Sequence, residues 1–118
     1  MLKRMRALQR APKTEKVSFD FDGVLDTKQG VSLLRRKITE GYPVYIITAR
    51  REGSQEVLDF ARENGVDRDK VYFTNGEDKW KTIKRLGISK HYDNNAEQVD
   101  KINKFTDCEA VLVEWSKE

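Results

Sequence analysis

The chain has 118 residues, of which 37% are hydrophobic and 36% charged, and a mean hydropathy of −0.78. That length holds one hydrophobic core and not two, and no apolar run approaches the roughly 20 residues of a membrane span. The net charge of +3 is unevenly placed, because residues 1–16 carry six basic side chains against one acidic and the rest balances at −2.

We therefore expect a basic N-terminal arm over 1–15 ahead of a single domain over 16–118, with no membrane association. The arm could contact nucleic acid or another polyanion through residues 1–16, or dock as a surface helix. It lacks the apolar core of a secretory signal. The single cysteine, Cys108, excludes an intramolecular disulfide and suits a reducing, cytoplasmic compartment.

In chain order, Leu2, Met5 and Leu8 predict a short helix over 1–9, ended by Ala11-Pro12. Val17 to Phe21 reads as the first strand. A helix opening at Gly30 follows, with Val31, Leu34 and Ile38 on one face and Gly41 and Pro43 at its end. Val44 to Thr48 is a continuous apolar strand, as in a parallel sheet buried on both faces. The next helix runs from Ser54 to Asn64, then a strand from Val71 to Thr74, a turn at Asn75-Gly76 and a helix from Glu77 to Leu86. A strand from Lys90 to Asp93, a helix from Ala96 to Phe105 and a strand from Ala110 to Trp115 complete the pattern. Strands alternating with helices predict an α/β fold of three α/β/α layers, Rossmann-like, around a mainly parallel five-stranded sheet.

Polar residues gather where the strands end. Asp20 and Asp22 follow the first, Thr48 and Arg50 the second, Asn75 to Lys79 the third, and Asp93-Asn94 the fourth. In an open α/β sheet the carboxyl ends of the strands share one crevice. Two carboxylates one residue apart must share a cation, share a proton or divide acid and base roles. Strand alternation would aim Asp20 and Asp22 to the same side, but Gly23 breaks the strand directly after them.

These stretches resemble the motifs of the haloacid dehalogenase superfamily of phosphotransferases. Asp20-Phe21-Asp22-Gly23-Val24-Leu25 is similar to its first motif, Ile46-Ile47-Thr48 to its second, a lysine at a helix start to its third, and Tyr92-Asp93-Asn94 to its fourth. The resemblance implies that Asp20 is a nucleophile forming an aspartyl phosphate and that Asp22 is the general acid and base. It further implies that Thr48 and a lysine hold the phosphoryl group. Lys79 fits that lysine, with Lys81 and Lys84 as alternatives, and Arg50 or Arg51 could hold a substrate phosphate. It also implies Mg²⁺ on the Asp20 carboxylate, the Asp22 carbonyl and a fourth-motif side chain. Asn94 is the first choice for that side chain, in place of the commoner second acid, and Asp93 then orients Lys79 or binds through water.

The spacing leaves no room for the cap domain of larger members, so the crevice should be open unless another copy of the chain covers it. A loose similarity to the phosphatase domain of polynucleotide kinase ranks nucleotides and nucleic-acid phosphate ends above sugar phosphates. The expected function is a Mg²⁺-dependent phosphomonoesterase. The alternative is a non-catalytic module that binds metal and phosphate and contacts nucleic acid through its arm; a receiver-like signalling domain would place its acids on different strands. His91 is read as an ordinary strand residue, and Trp80 and Trp115 as core.

Overall fold

The computed structural model describes residues 13–116, so the helix expected over 1–9 and most of the basic arm lie outside the described residues. Five parallel strands form one sheet in the order β3-β2-β1-β4-β5, with β1 at Lys16–Phe19, β2 at Val44–Thr48, β3 at Val71–Phe73, β4 at Ile88–Asp93 and β5 at Glu109–Leu112. The connections carry α1 (Lys28–Thr39), α2 (Gln55–Glu63), α3 (Trp80–Leu86) and α4 (Ala96–Phe105), and a 3₁₀ turn at Arg68–Lys70 precedes β3. The expected mainly parallel sheet is thus parallel throughout.

Strand alternation sorts the core onto two faces. Val17, Phe19, Val44 and Ile46 pack with Leu34 of α1 and with Val57 and Ala61 of α2. Ile47, Ile88 and Ala110 point the other way and pack with Ile83 of α3 and with Val99 and Ile102 of α4. Burying each such large aliphatic side chain contributes roughly 1.5–3 kcal/mol before entropy is counted. Helices therefore cover both faces, which is why β2 reads as an unbroken apolar run. Ser18 and His91 are the exceptions on the α3/α4 face: both are fully buried and they sit directly opposite each other in β1 and β4.

Several boundaries differ from the sequence reading. The first strand stops at Phe19 instead of Phe21, although the Asp20 N–H still reaches the Tyr92 carbonyl at 2.9 Å. The chain then turns at Gly23, whose φ of 81° lies in the left-handed region. The first helix starts at Lys28 because Thr27 caps it, accepting the Gly30 N–H at 3.0 Å. Gly30 is thus inside that helix, where a Cβ would overlap the Val24 carbonyl. The helix expected from Glu77 begins only at Trp80, since the Thr74 hydroxyl and carbonyl bond Glu77 and hold residues 74–77 in a turn. Trp80 is half-buried against Phe105, and Trp115 is half-buried against the α1/α2 face.

Candidate active site

The strand order reverses between β1 and β4, each the start of a run outward to one edge. At such a switch point the loops leaving the two strands part in opposite directions and open a crevice. Here the crevice measures about 600 Å³ and is lined by Asp20, Asp22, Lys79, Asp93 and Asn94 among others. Two neighbouring strands supply its floor. Period-2 geometry places Ser18 with Asp20, and His91 with Asp93, on the α3/α4 face.

Lys79, the residue before α3, descends between them. Its ammonium lies 2.8 Å from Asp20 Oδ1 and 2.7 Å from Asp93 Oδ2, with all three side chains at least nine-tenths buried. Of the candidate lysines, Lys79 is the one in the crevice; Lys81 lies over the Trp80 ring, and both Lys81 and Lys84 are exposed. The segment carrying Lys79 is itself fixed from α4. Gln98 accepts the Lys79 N–H at 2.9 Å and donates to Asp78 Oδ1 at 2.9 Å.

One buried cation between two carboxylates leaves a negative charge in excess. The environment resolves this by making the acids unequal. Burial, reinforced by the charge of Asp93, pushes Asp20 up to about 7 in spite of Lys79. Burial also acts to raise Asp93, but the hydrogen bond from His91 and the Lys79 ammonium outweigh it and hold that carboxyl at about 2. Asp93 is ionised across the neutral range, while Asp20 changes charge near neutrality.

Asp93 is also fully engaged. Its Oδ2 meets Lys79 and His91 Nε2, the latter at 2.8 Å, and its Oδ1 accepts the Asn95 N–H at 3.0 Å. Asn95 in turn caps α4, accepting the N–H groups of Glu97 and Gln98. Such a cap contributes about 1 kcal/mol, and here it also locks the turn that presents Asn94.

One terminal atom of the Asn94 carboxamide lies 3.1 Å from the Asp22 carbonyl oxygen and 3.2 Å from Asp20 Oδ2. As Nδ2 it donates to both. Turned over, Oδ1 stands there instead, and its separations from the other two oxygens match the edges of a Mg²⁺ octahedron, which are about 3 Å for bonds of 2.0–2.1 Å. Among the described residues no three His, Cys, Asp or Glu side chains surround a metal position. The donor set that could hold a cation comprises one carboxylate, one main-chain carbonyl and one carboxamide. Gly23 is required beside it, because a Cβ there would overlap the Asn94 carboxamide.

Asp22 diverges from Asp20. Its carboxylate is half exposed and accepts a two-pronged bond from Arg50, at 3.0 Å from Nε and 2.8 Å from Nη2. Arg50 also bonds Glu56 at 2.7 Å and Ser54 at 3.2 Å, and its guanidinium lies 5.0 Å from the centre of the Phe21 ring. The bonds to Asp22 and Glu56 raise the guanidinium further above its ordinary range. Thr48 is fully buried at the end of β2, with its hydroxyl accepting the Arg50 N–H at 3.2 Å, and Ala49 lines the crevice beside it. Asp26 receives the Gly23 N–H at 2.8 Å, the turn-satisfying role its position suggests.

The structure thus brings Asp20, Asp22, Lys79, Asp93 and Asn94 to one crevice, adds Arg50 through Asp22, and leaves Thr48 beneath the loop. Sequence reasoning did not single out Ser18 and Gln98, and it gave His91 no role. The signal for the first and last was their parity, two residues before Asp20 and Asp93 in otherwise apolar strands. Acidic side chains at the crevice include Asp20, Asp22, Glu77, Asp78, Asp93 and Glu97 against Lys79, so an entering anion meets a negative field that a cation would offset. No helix among the described residues is long and apolar enough to cross a membrane. Comparison with protein-family models, with curated proteins and with solved structures finds no match to this chain.

Proposed function

We propose that the chain is a Mg²⁺-dependent phosphomonoesterase of the haloacid dehalogenase type, with no cap domain, working through an aspartyl phosphate on Asp20. One observation carries this reading: the two oxygens of Asp20 are divided, Oδ1 facing the Lys79 ammonium and Oδ2 facing the Asn94 carboxamide. With Nδ2 towards them the Asn94 carboxamide ties Asp20 Oδ2 to the Asp22 carbonyl, and with Oδ1 towards them the same three groups offer a cation three oxygens. Mg²⁺ held by Asp20, the Asp22 carbonyl and Asn94 would offset the repulsion between the carboxylate and a phosphate dianion.

An Asp20 oxygen attacks phosphorus as the bond from phosphorus to the leaving oxygen breaks, and the Asp22 carboxyl protonates that oxygen. Asp22 then takes a proton from water, whose oxygen attacks phosphorus and releases phosphate from Asp20. Lys79 steadies the charge on the phosphoryl oxygens. Asp22 must leave Arg50 to do this, because the guanidinium occupies both of its carboxylate oxygens. An anionic substrate that draws Arg50 to itself frees Asp22 for the proton transfer.

The links β1–β2 and β2–β3 hold a loop with α1 and α2 with a 3₁₀ turn respectively, which supports an open crevice and a substrate such as a nucleotide or a nucleic-acid phosphate end. A panel of nucleotides, phosphorylated DNA ends, phosphopeptides and sugar phosphates, each with and without Mg²⁺, tests the reading. The Asp22–Arg50 pair favours a second reading, a binding module whose acid is permanently held. Normal Mg²⁺ binding with no turnover of any ester would establish that reading instead.

A further inference from the structure

His91, the single histidine of the chain, lies fully buried on the sheet face that α3 and α4 cover, where an unpaired imidazole would be costly. It is instead bonded at both nitrogens, Nδ1 to Ser18 Oγ at 2.7 Å and Nε2 to Asp93 Oδ2 at 2.8 Å. Asp93 can only accept, so Nε2 carries the proton. Ser18 can then donate its hydroxyl proton to Nδ1, which leaves a neutral ring with one defined tautomer. Burial, acting against the pull of Asp93, favours that neutral form.

The bonds form a continuous buried line: Ser18 to His91, His91 to Asp93, Asp93 to Lys79, Lys79 to Asp20. We propose that His91 is a positioning residue of this site, fixing the Asp93 carboxylate that holds the Lys79 ammonium against Asp20, with Asp93 setting the ring's tautomer and Ser18 anchoring its far nitrogen. Without the Nε2–H bond, Asp93 Oδ2 would meet Lys79 alone, and only the Asn95 N–H on Oδ1 would resist rotation of the carboxylate about its Cβ–Cγ bond. Lys79 would then settle between the two acids without a defined position. Partners of this outer kind typically change activity or metal affinity 10–100-fold when removed. The catalytic consequence rests on the phosphatase reading; the tautomer and its coupling to Ser18 do not.

The test uses the full chain. In ¹⁵N ring spectra of the metal-free protein at pH 7, the lone histidine should show a protonated Nε2 and an unprotonated Nδ1 in a single state, and Ser18→Ala should shift the Nδ1 resonance as its hydrogen bond is lost while leaving Nε2 protonated against Asp93. A protonated Nδ1, or an averaging ring in the unmodified protein, overturns the proposal. On an aryl phosphate with Mg²⁺, His91→Phe should lower kcat at least tenfold with KM within about twofold. His91→Gln, which puts an amide N–H where Nε2 stood, should recover most of the loss, and His91→Asn, which restores only the Ser18 side, should not. Equal losses in all three variants, or a change confined to KM, also overturn it. If the unmodified protein hydrolyses no phosphate ester, the phosphatase reading fails by itself and the ring spectra still decide the placement of His91.

Discussion

Replacing Asp20 by Asn should make the metal-free protein more stable in mild alkali while removing its activity. Asp20 is raised from 3.8 in the unfolded chain to about 7 in the folded one. A raised carboxyl supports the folded state at acid pH and loses that support as pH climbs through the folded value. The loss starts near 4 and is complete above 7. At 1.36 kcal/mol per unit, the difference approaches about 4 kcal/mol at pH 8 and is under about 2 kcal/mol at pH 5. Asp93, held near 2, has the opposite sign, and its contribution is lost only below about 4, outside this window. Asn at position 20 keeps an acceptor for Lys79 and leaves the Lys79–Asp93 pair balanced. In EDTA, the unfolding midpoint of Asp20→Asn should therefore exceed that of the unmodified chain by roughly 15 °C at pH 8, taking about 4 °C per kcal/mol, and by much less at pH 5. A shift that is the same at both pH values, or a destabilisation that grows towards pH 8, would refute the argument that Asp20 carries the excess buried charge.

Lys79→Met should leave two buried carboxylates without their cation and cost about 3–5 kcal/mol in urea unfolding at pH 7, whereas Lys81→Met should stay within about 0.5 kcal/mol. Gly23→Ala should abolish Mg²⁺ binding measured by calorimetry, because its Cβ meets Asn94. Gly53→Ala, also at positive φ but with open space around it, should lose only about 1 kcal/mol of stability and leave Mg²⁺ binding intact. Arg50→Ala should change stability by less than about 1 kcal/mol, since the pair with Asp22 is substantially exposed. Its effect should appear in turnover of the preferred anionic substrate.

The fold is legible because β2 buries both faces and the helices carry apolar stripes, so Val44–Thr48 and Ala96–Phe105 match the sequence reading at both ends. Boundaries near the site are less legible because side chains there compete for the backbone. Thr74 holds Glu77 out of the third helix, and Thr27 starts the first helix before its glycine. Asp20, Lys79, Asp93 and Asn94 could be placed from sequence because each follows or precedes a strand or helix end. The divergence of Asp22 towards Arg50 could not, since it depends on the Gly23 turn and on Glu56 arriving from α2. Nor could the role of His91, whose meaning comes from a cross-strand partner, Ser18, that is distant in sequence.

Single-turnover trapping on an aryl phosphate with Mg²⁺ tests the central claim most directly. Rapid acid quench followed by mass spectrometry of the peptide containing residues 17–27 should find one phosphoryl group on Asp20, absent with EDTA and absent in Asp20→Asn. Phosphate release without any phosphoryl enzyme, turnover that survives in Asp20→Asn, or bound Mg²⁺ with no reaction at all would contradict it.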